Sequence, residues 1–387
     1  MKTENPKGFK DTPNAEKRIQ IRNIIEQTFQ LYNFTPVETP IIEYEEFVKG
    51  DNKEDEAVSD IFKLKDKGNR SLALRYEFTF QLKRLSKNQK LPYKRYQIGP
   101  VFRDEPITGN RWRQFTQCDI DTIGSTIKDE AEILKATSEI LNKLNIKFTI
   151  NINNRKLLNE ILEELKISEE NQQQVIKEID KLDKLPESEV KNNLKKYNAQ
   201  SILTLLKKPE TYFQKYPAYQ EIKELKKLCS YYKIKLNFQP FLARGLSYYN
   251  GSIFEIKSQN LKETITAGGS YKINNLQSTG ISLGLERLEL LATLQISNKK
   301  ILIISLGQDK ASIQLANNLR EQNIPTQIAY NKPSKALDYA NSNNLPLVIF
   351  LGDEEVKTKK LKLKNMNTGK EELINEKQLE KKLQSLK

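Results

Sequence analysis

Apolar positions recur at helical spacing in "AEKRIQIRNIIEQTFQLY" (15–32) and "TIKDEAEILKATSEILNKL" (126–144), and the pattern predicts a helix over each. Between them the period shortens. "FTPVETPIIEY" reads as a strand broken by Pro36 and Pro40. "PYKRYQIGPVFR" and "RWRQFTQCDIDTIG" are strand-like runs joined by "DEPITGN", whose Pro, Gly and Asn make a loop, so the pair predicts an antiparallel hairpin. "LRYEFTFQLKR" places Glu77 and Thr79 two apart, on one face of a strand. "KFTININ" adds another strand. From about residue 155 the text becomes helical and lysine-rich up to about 237, with Leu157, Leu158, Ile161, Leu162 and Leu165 on one face and breaks at Pro186, Pro209 and Pro217. Strands return in "GSIFEIKS" and "ETITAGGSY", and "STGISLGLERLELLATL" is a strand that turns into a helix. After Ser297, "KKILIISLG", "ASIQLANNLREQN", "PTQIAY", "KALDYANSNN", "PLVIFLG" and "KLKLKNM" alternate strand and helix, as in a small α/β domain. The expected organisation is an α+β core with an antiparallel sheet (1–150 and 238–297), a helical insertion (151–237) and a C-terminal α/β domain (298–387).

Composition narrows the chemistry. The 387 residues include no histidine, and Cys118 and Cys229 stand far apart with no CxxC, so a disulfide framework, a structural zinc site and histidine general-base chemistry are not expected. Any catalysis must rest on Arg, Lys, Tyr, carboxylates, a metal or the substrate itself. The net charge of +14 favours polyanionic partners, although a lysine-rich composition also arises as a solvated surface. The apolar runs "LVIFL" and "ILIISL" are strand-length, and the N-terminus has no apolar signal core, so a cytoplasmic protein with no membrane partner is expected.

Five stretches carry candidate chemistry. In the hairpin, Arg103 ends one strand, Glu105 follows in the loop, and Arg111 and Arg113 begin the return. Such arginines either form a salt-bridged surface or converge on phosphate oxygens, which the guanidinium fork suits. Glu77 with Thr79 suits an ammonium group. Gln117, Asp119 and Asp121 share a strand face, either solvated or lining a pocket. In "STGISLGLERL" small residues allow close approach, and Arg287 sits just inside the following helix. In "LARGLSYYNGSIFEI" Arg244 precedes Tyr248 and Tyr249, which point to opposite faces if extended and reach in together if the backbone bends. Tyr271 follows the double glycine of "AGGSY".

The joint order of these stretches resembles the histidyl-tRNA synthetase family, of class II aminoacyl-tRNA synthetases, over nearly the whole chain. "FTPVETPIIE", with Pro40, resembles the dimer-forming first motif of the class. "GPVFRDEPITGNRWRQF" resembles the second and "GISLGLERL" the third, while "LARGLSYYNGSIFE" resembles the histidyl-specific motif. The tail resembles the family's α/β anticodon-binding domain. The resemblance implies that Arg103 grips the ATP α-phosphate, that Glu105, Arg111 and Phe115 serve the adenylate with Phe115 under the adenine, and that Arg287 covers its other face. It implies that Glu77, Thr79 and Gln117 hold the α-ammonium of histidine and that Asp121, Tyr248, Tyr249 and Tyr271 surround its imidazole. Arg244 would lie against the α-phosphate and the substrate carboxylate. ATP with Mg²⁺ near Glu105, L-histidine and tRNA(His) are the implied ligands, no zinc is implied, and a homodimer is expected. The helical insertion and the basic C-terminal domain, with five lysines between Lys357 and Lys364, would meet the acceptor arm and the anticodon. Two departures stand out: Ser247 replaces the acid of the usual "GLDYYTG", and Tyr76 and Phe78 stand where many relatives carry proline and glycine. The rival reading is a non-catalytic paralogue such as the regulatory subunit of ATP phosphoribosyltransferase, which lacks the anticodon domain and parts of the ATP site.

Overall fold

A computed structural model describes residues 3–50, 56–107, 109, 111–244, 248–294, 300–376, 378–379 and 382. Ser247 and the expected boundary at 297 lie outside these residues. The chain forms two compact units, residues 1–294 and 295–387.

In chain order the strands of the first unit are β1 (Thr35–Pro36), β2 (Ile42–Tyr44), β3 (Lys63–Lys65), β4 (Ser71–Leu74), β5 (Tyr93–Phe102), β6 (Gln114–Ile123), β7 (Thr149–Asn154), β8 (Leu236–Phe238), β9 (Tyr249–Ser258), β10 (Leu261–Ile273) and β11 (Leu276–Gly284). Eight of them form one sheet in the order β1-β5-β6-β11-β10-β9-β7-β8, while β2-β4-β3 form a small second sheet. The large sheet is antiparallel except at its edges, where β1 runs parallel to β5 and β8 parallel to β7.

Strand alternation explains how this sheet separates packing from chemistry. Along β6, Cys118 and Ile120 join the main apolar core with Ile21, Ile25 and Phe29 of helix Glu16–Leu31 and Ile133, Leu134 and Ile140 of helix Ile127–Lys143. That leaves Gln117, Asp119 and Asp121 for the other face. Helix Ile127–Lys143 starts where it does because Thr126 and Asp129 form a reciprocal capping box, satisfying otherwise orphaned N–H groups.

Between β7 and β8 the chain is helical. Leu157 and Ile161 of helix Arg155–Glu164, Val175 of helix Glu169–Asp180 and Leu225 of helix Tyr219–Tyr231 belong to the same apolar cluster as the large sheet. Pro186 and Pro209 mark helix starts: each stands extended immediately before a helix, Glu187–Leu194 and Glu210–Phe213, where the missing N–H costs nothing.

The "LRYEFTF" stretch departs from expectation. β4 stops at Leu74, and Arg75 leaves the ladder: its N–H donates to Ile41 O at 2.9 Å and its carbonyl accepts from Phe102 N–H at 3.0 Å. Glu77 and Thr79 therefore lie in an irregular turn and do not share a strand face. Tyr76, Phe78 and Phe80 are all buried, so the alternation in this text reflects packing of aromatic rings and not a ladder. Arg111 and Arg113 likewise precede the regular strand, which begins at Gln114.

The second unit carries β12 (Ile301–Ser305), β13 (Thr326–Ala329), β14 (Leu347–Leu351), β15 (Leu361–Asn365) and β16 (Glu371–Ile374) in the order β13-β12-β14-β15-β16. The first three are parallel, the last two antiparallel. Alternate residues bury both faces: Ile301, Ile303, Leu347 and Ile349 on one, Leu302, Ile304 and Val348 on the other. Among the described residues no helix is long and apolar enough to cross a membrane.

Candidate active site

The polar face of β6 is buried. Asp119 and Asp121 are 5% and 4% exposed, so this face is not a solvated one. Arg95, fully buried and directly opposite Asp121 on β5, places Nη2 2.7 Å from Asp121 Oδ2. Tyr271 donates its hydroxyl to Asp121 Oδ1. The carboxylate fits because residue 280, its partner on β11, is glycine: a Cβ there would lie 2.0 Å from Asp121 Oδ1. Burial pushes the Asp121 carboxyl up, while Arg95 and Tyr271 pull it back. Asp119 is pushed up to about 8 by burial against the pull of Arg95, with Asp121 and Glu77 adding like charge. Arg95 Nε and Nη1, Gln117 Oε1 and Asp119 Oδ1 are buried with no hydrogen-bond partner in the protein. Buried polar atoms are rarely left so, and a cluster of them facing one space is the signature of a polar ligand.

Three tyrosines close this end. Tyr249 pairs with Tyr271 across β9 and β10. Tyr248 lies in the turn before β9, so the backbone bends and both neighbouring rings reach the same cluster: its centroid is 4.9 Å from Tyr249 and 5.6 Å from Tyr271. Burial raises all three phenols, and the charge of Glu77 raises Tyr248 and Tyr249 further, which brings Glu77 into the same electrostatic neighbourhood. They are neutral donors at physiological pH. Thr79 is half-buried in the turn that leads to Leu82.

The arginines define the other end. Arg103 donates from Nε to Tyr76 O at 3.1 Å and lies 5.2 Å over the ring of Phe115. Glu105 is 3.7 Å from both Arg103 and Arg111. Arg113 pairs instead with Asp104 at 2.9 Å. Arg287, in the first turn of helix Leu285–Leu291, donates from Nη1 to Thr264 O at 2.5 Å. Burial lowers its guanidinium, and the positive charges of Arg111, Arg244 and Arg103 lower it further against the pull of Glu263. Arg287 thus feels three guanidinium groups from two distant stretches. Arg244 has Nη1 3.6 Å from Glu255 and a buried Nε with no partner. Carboxylates offset part of this repulsion, Glu105 beside Arg103 and Arg111 and Glu255 beside Arg244, and a bound phosphate, which matches the guanidinium fork, would offset more.

The structure therefore gathers Arg103, Glu105, Arg111, Phe115, Arg244 and Arg287 at one end, and Glu77, Asp121, Tyr248, Tyr249 and Tyr271 at the other. Arg95 and Gly280 are additions. The predicted hairpin put Arg95 and Asp121 on paired strands, but their direct pairing is set by a register the sequence does not state. Among the described residues no group of three or more Cys, Asp or Glu residues is arranged to hold a metal ion.

The arrangement of this sheet, its arginines and its buried polar cluster has counterparts among known proteins. A family described as histidyl-tRNA synthetase matches residues 8–288, and one described as anticodon binding domain matches 300–386. The chain is 34% identical over 414 residues to histidine--tRNA ligase 1 of Bacillus cereus, covering 96% of this chain and 95% of that one. It is 32% identical over 416 residues to histidine--tRNA ligase of Helicobacter pylori, covering 94% and 93%. In fold it is similar to histidyl-tRNA synthetase from Nostoc sp. PCC 7120, with a TM-score of 0.86 at 23% identity over 100% and 99% of the two chains. A structure from Bacillus halodurans described as an ATP phosphoribosyltransferase regulatory subunit/histidyl-tRNA synthetase gives 0.73 at 20% identity, over 88% and 96%. The chain belongs to the histidyl-tRNA synthetase family.

Proposed function

We propose that this chain ligates L-histidine to tRNA(His) through histidyl-adenylate, consuming ATP and releasing pyrophosphate and AMP. The observation that carries the reading is the adjacency of the arginine cluster to the buried pocket of Asp121, Arg95 and the three tyrosines. In the first step the histidine carboxylate attacks the α-phosphorus of ATP, a P–O bond to pyrophosphate breaks, and negative charge grows on the phosphoryl oxygens. Arg103 and Arg244 are the groups assigned to that charge. Fixed cations in a water-poor site need no reorganisation as charge develops, which makes this kind of term typically the largest in catalysis. Phe115 and Arg287 sandwich the adenine. Glu77, Thr79 and Gln117 take the α-ammonium.

Specificity follows from Asp121 and the tyrosines. The carboxylate accepts one imidazole N–H and a phenol serves the other nitrogen. A wrong amino acid would leave these buried groups unpaired, a penalty that supports strong discrimination. In the second step the terminal ribose hydroxyl of tRNA attacks the acyl carbon and AMP leaves. With no histidine side chain in the protein, a phosphate oxygen of the adenylate is the proton acceptor.

Mg²⁺ arrives with ATP, and Glu105 is the carboxylate assigned to it. The segment 151–237 would meet the acceptor arm and 298–387 the anticodon. A cytoplasmic homodimer through the Pro40 segment completes the reading, and the exposure of Ile41, Ile42 and Tyr44 beside that proline supports it.

The test is amino-acid-dependent pyrophosphate exchange across all twenty amino acids. Exchange with histidine alone is expected. Exchange with none would favour the regulatory paralogue, whose loss of ATP-site arginines is not matched here.

A further inference from the structure

We propose that Glu255 is the positioning residue for both Arg244 and Arg287, and that an ion chain through it ties the helical segment after β7 to these arginines. The inference rests on the roles just given to the two arginines.

Glu255 sits on β9, 5% exposed, beside a cavity of about 210 Å³ that is also lined by Asp180, Asp183, Ala243 and Lys257. Its Oε1 accepts from the Thr264 hydroxyl at 2.6 Å and lies 3.6 Å from Arg244 Nη1. Thr264 in turn presents its carbonyl to Arg287 Nη1 at 2.5 Å. One carboxylate thus reaches both arginines, one by charge and one through a single threonine. Its other oxygen, Oε2, lies 3.2 Å from Lys257 Nζ, and the same ammonium reaches Asp183 Oδ2 at 2.6 Å. Asp183 belongs to the single turn Lys181–Asp183 that continues helix Glu169–Asp180. The last residue of that helix, Asp180, also accepts a hydrogen bond from the Arg244 backbone.

The helical segment therefore holds Arg244 twice, by its main chain through Asp180 and by its side chain through Asp183, Lys257 and Glu255. Arg244 needs holding. Its φ of +57° lies in the left-handed region, which is unfavourable for a residue with a Cβ and persists only when the surroundings over-determine it. At 3.6 Å the contact to Glu255 is longer than a charge-assisted hydrogen bond, so it fixes direction without saturating the guanidinium, whose Nε stays unpartnered. That suits a group kept available for a substrate. Neutralising Glu255 would leave Arg244 Nη1 without this carboxylate and Lys257 held by Asp183 alone.

The test uses the full chain and histidine-dependent pyrophosphate exchange. Glu255→Gln is expected to lower kcat by about 10²-fold with KM for ATP and histidine within about 3-fold, because charge placement in the transition state is lost and substrate binding is not. Asp183→Asn is expected to lower kcat by about 5-fold in the wild-type background and by less than about 2-fold beside Glu255→Gln, since the chain is then already cut. Should Glu255→Gln fail to fold, Lys257→Met takes its place in the same cycle with the same expectation. Unchanged kcat in Glu255→Gln, or equal fold-losses from Asp183→Asn in both backgrounds, would overturn the proposal. A wild type inert toward histidine would overturn the functional reading instead, an outcome no variant can mimic.

Discussion

The two units bury very different things. Among the described residues of the second unit, the buried polar side chains are Ser305 and Ser312, and its ion pairs, which include Glu371 with Lys362 and Lys364 and Glu372 with Lys382, are partly exposed. The first unit buries Glu77, Arg95, Asp119, Asp121 and Glu255. Both have apolar cores, so folding does not explain the difference. Buried ion pairs contribute little net stability once desolvation is counted. The first unit keeps them where a polar ligand is to be recognised without water. The second can meet its partner with surface charge alone.

Substitutions at the arginines should break this contrast most visibly. Arg244→Ala and Arg103→Ala are each expected to lower histidine-dependent exchange by about 10²–10³-fold, with the thermal midpoint unchanged. Next comes stability. Asp121→Ala leaves fully buried Arg95 without its carboxylate, and breaking such a pair from one side costs about 3–5 kcal/mol, to be read from urea denaturation of the first unit. Gly280→Ala is expected to cost about 1–3 kcal/mol, because its methyl overlaps the same carboxylate and the strands must part.

The pH effect is smaller and has a definite sign. Asp119 has its folded value raised to about 8 from an ordinary 3.8, so the native state holds a proton that the unfolded chain has lost. Its contribution is fully present below the ordinary value and is lost as pH rises through about 8. Glu130, buried against Ser270 and raised chiefly by burial to about 7, acts in the same sense over a narrower window. Thermal midpoints should therefore fall with rising pH across this range, and Asp119→Asn should flatten the fall. A midpoint that rises there would contradict the burial of these acids. The smallest effect is expected in the second unit, where Glu371→Gln should leave its denaturation midpoint unmoved at high salt.

Much of this contrast was visible in the text of the chain. Alternating runs such as "RQFTQCDIDTIG" and "GSIFEIKS" became strands because one residue in two had an apolar core to enter. The arginines were legible because loops and helix starts are local events. Pairings between strands were not. Gly280 meets Asp121, and Tyr271 donates to it, across more than 140 residues of chain, so nothing near Asp121 announces its partners. Glu255 has a similar history: it meets Arg244 from the turn before β9 and Thr264 from β10, and it reaches Asp183 only through Lys257. The segment after Leu74 misled because buried aromatic residues at every second position imitate a ladder while the backbone makes its bonds elsewhere.

The enclosed trio of Arg95, Asp121 and Tyr271 lies in a polypeptide without a single imidazole. A ¹⁵N-labelled histidine added to it would give the only imidazole nitrogen resonances in the sample. The tautomer of the bound ring, and any exchange between free and bound forms, could then be followed spectroscopically without assigning one signal of the protein itself, and Asp121→Asn should change that tautomer if the ring lies beside this carboxylate.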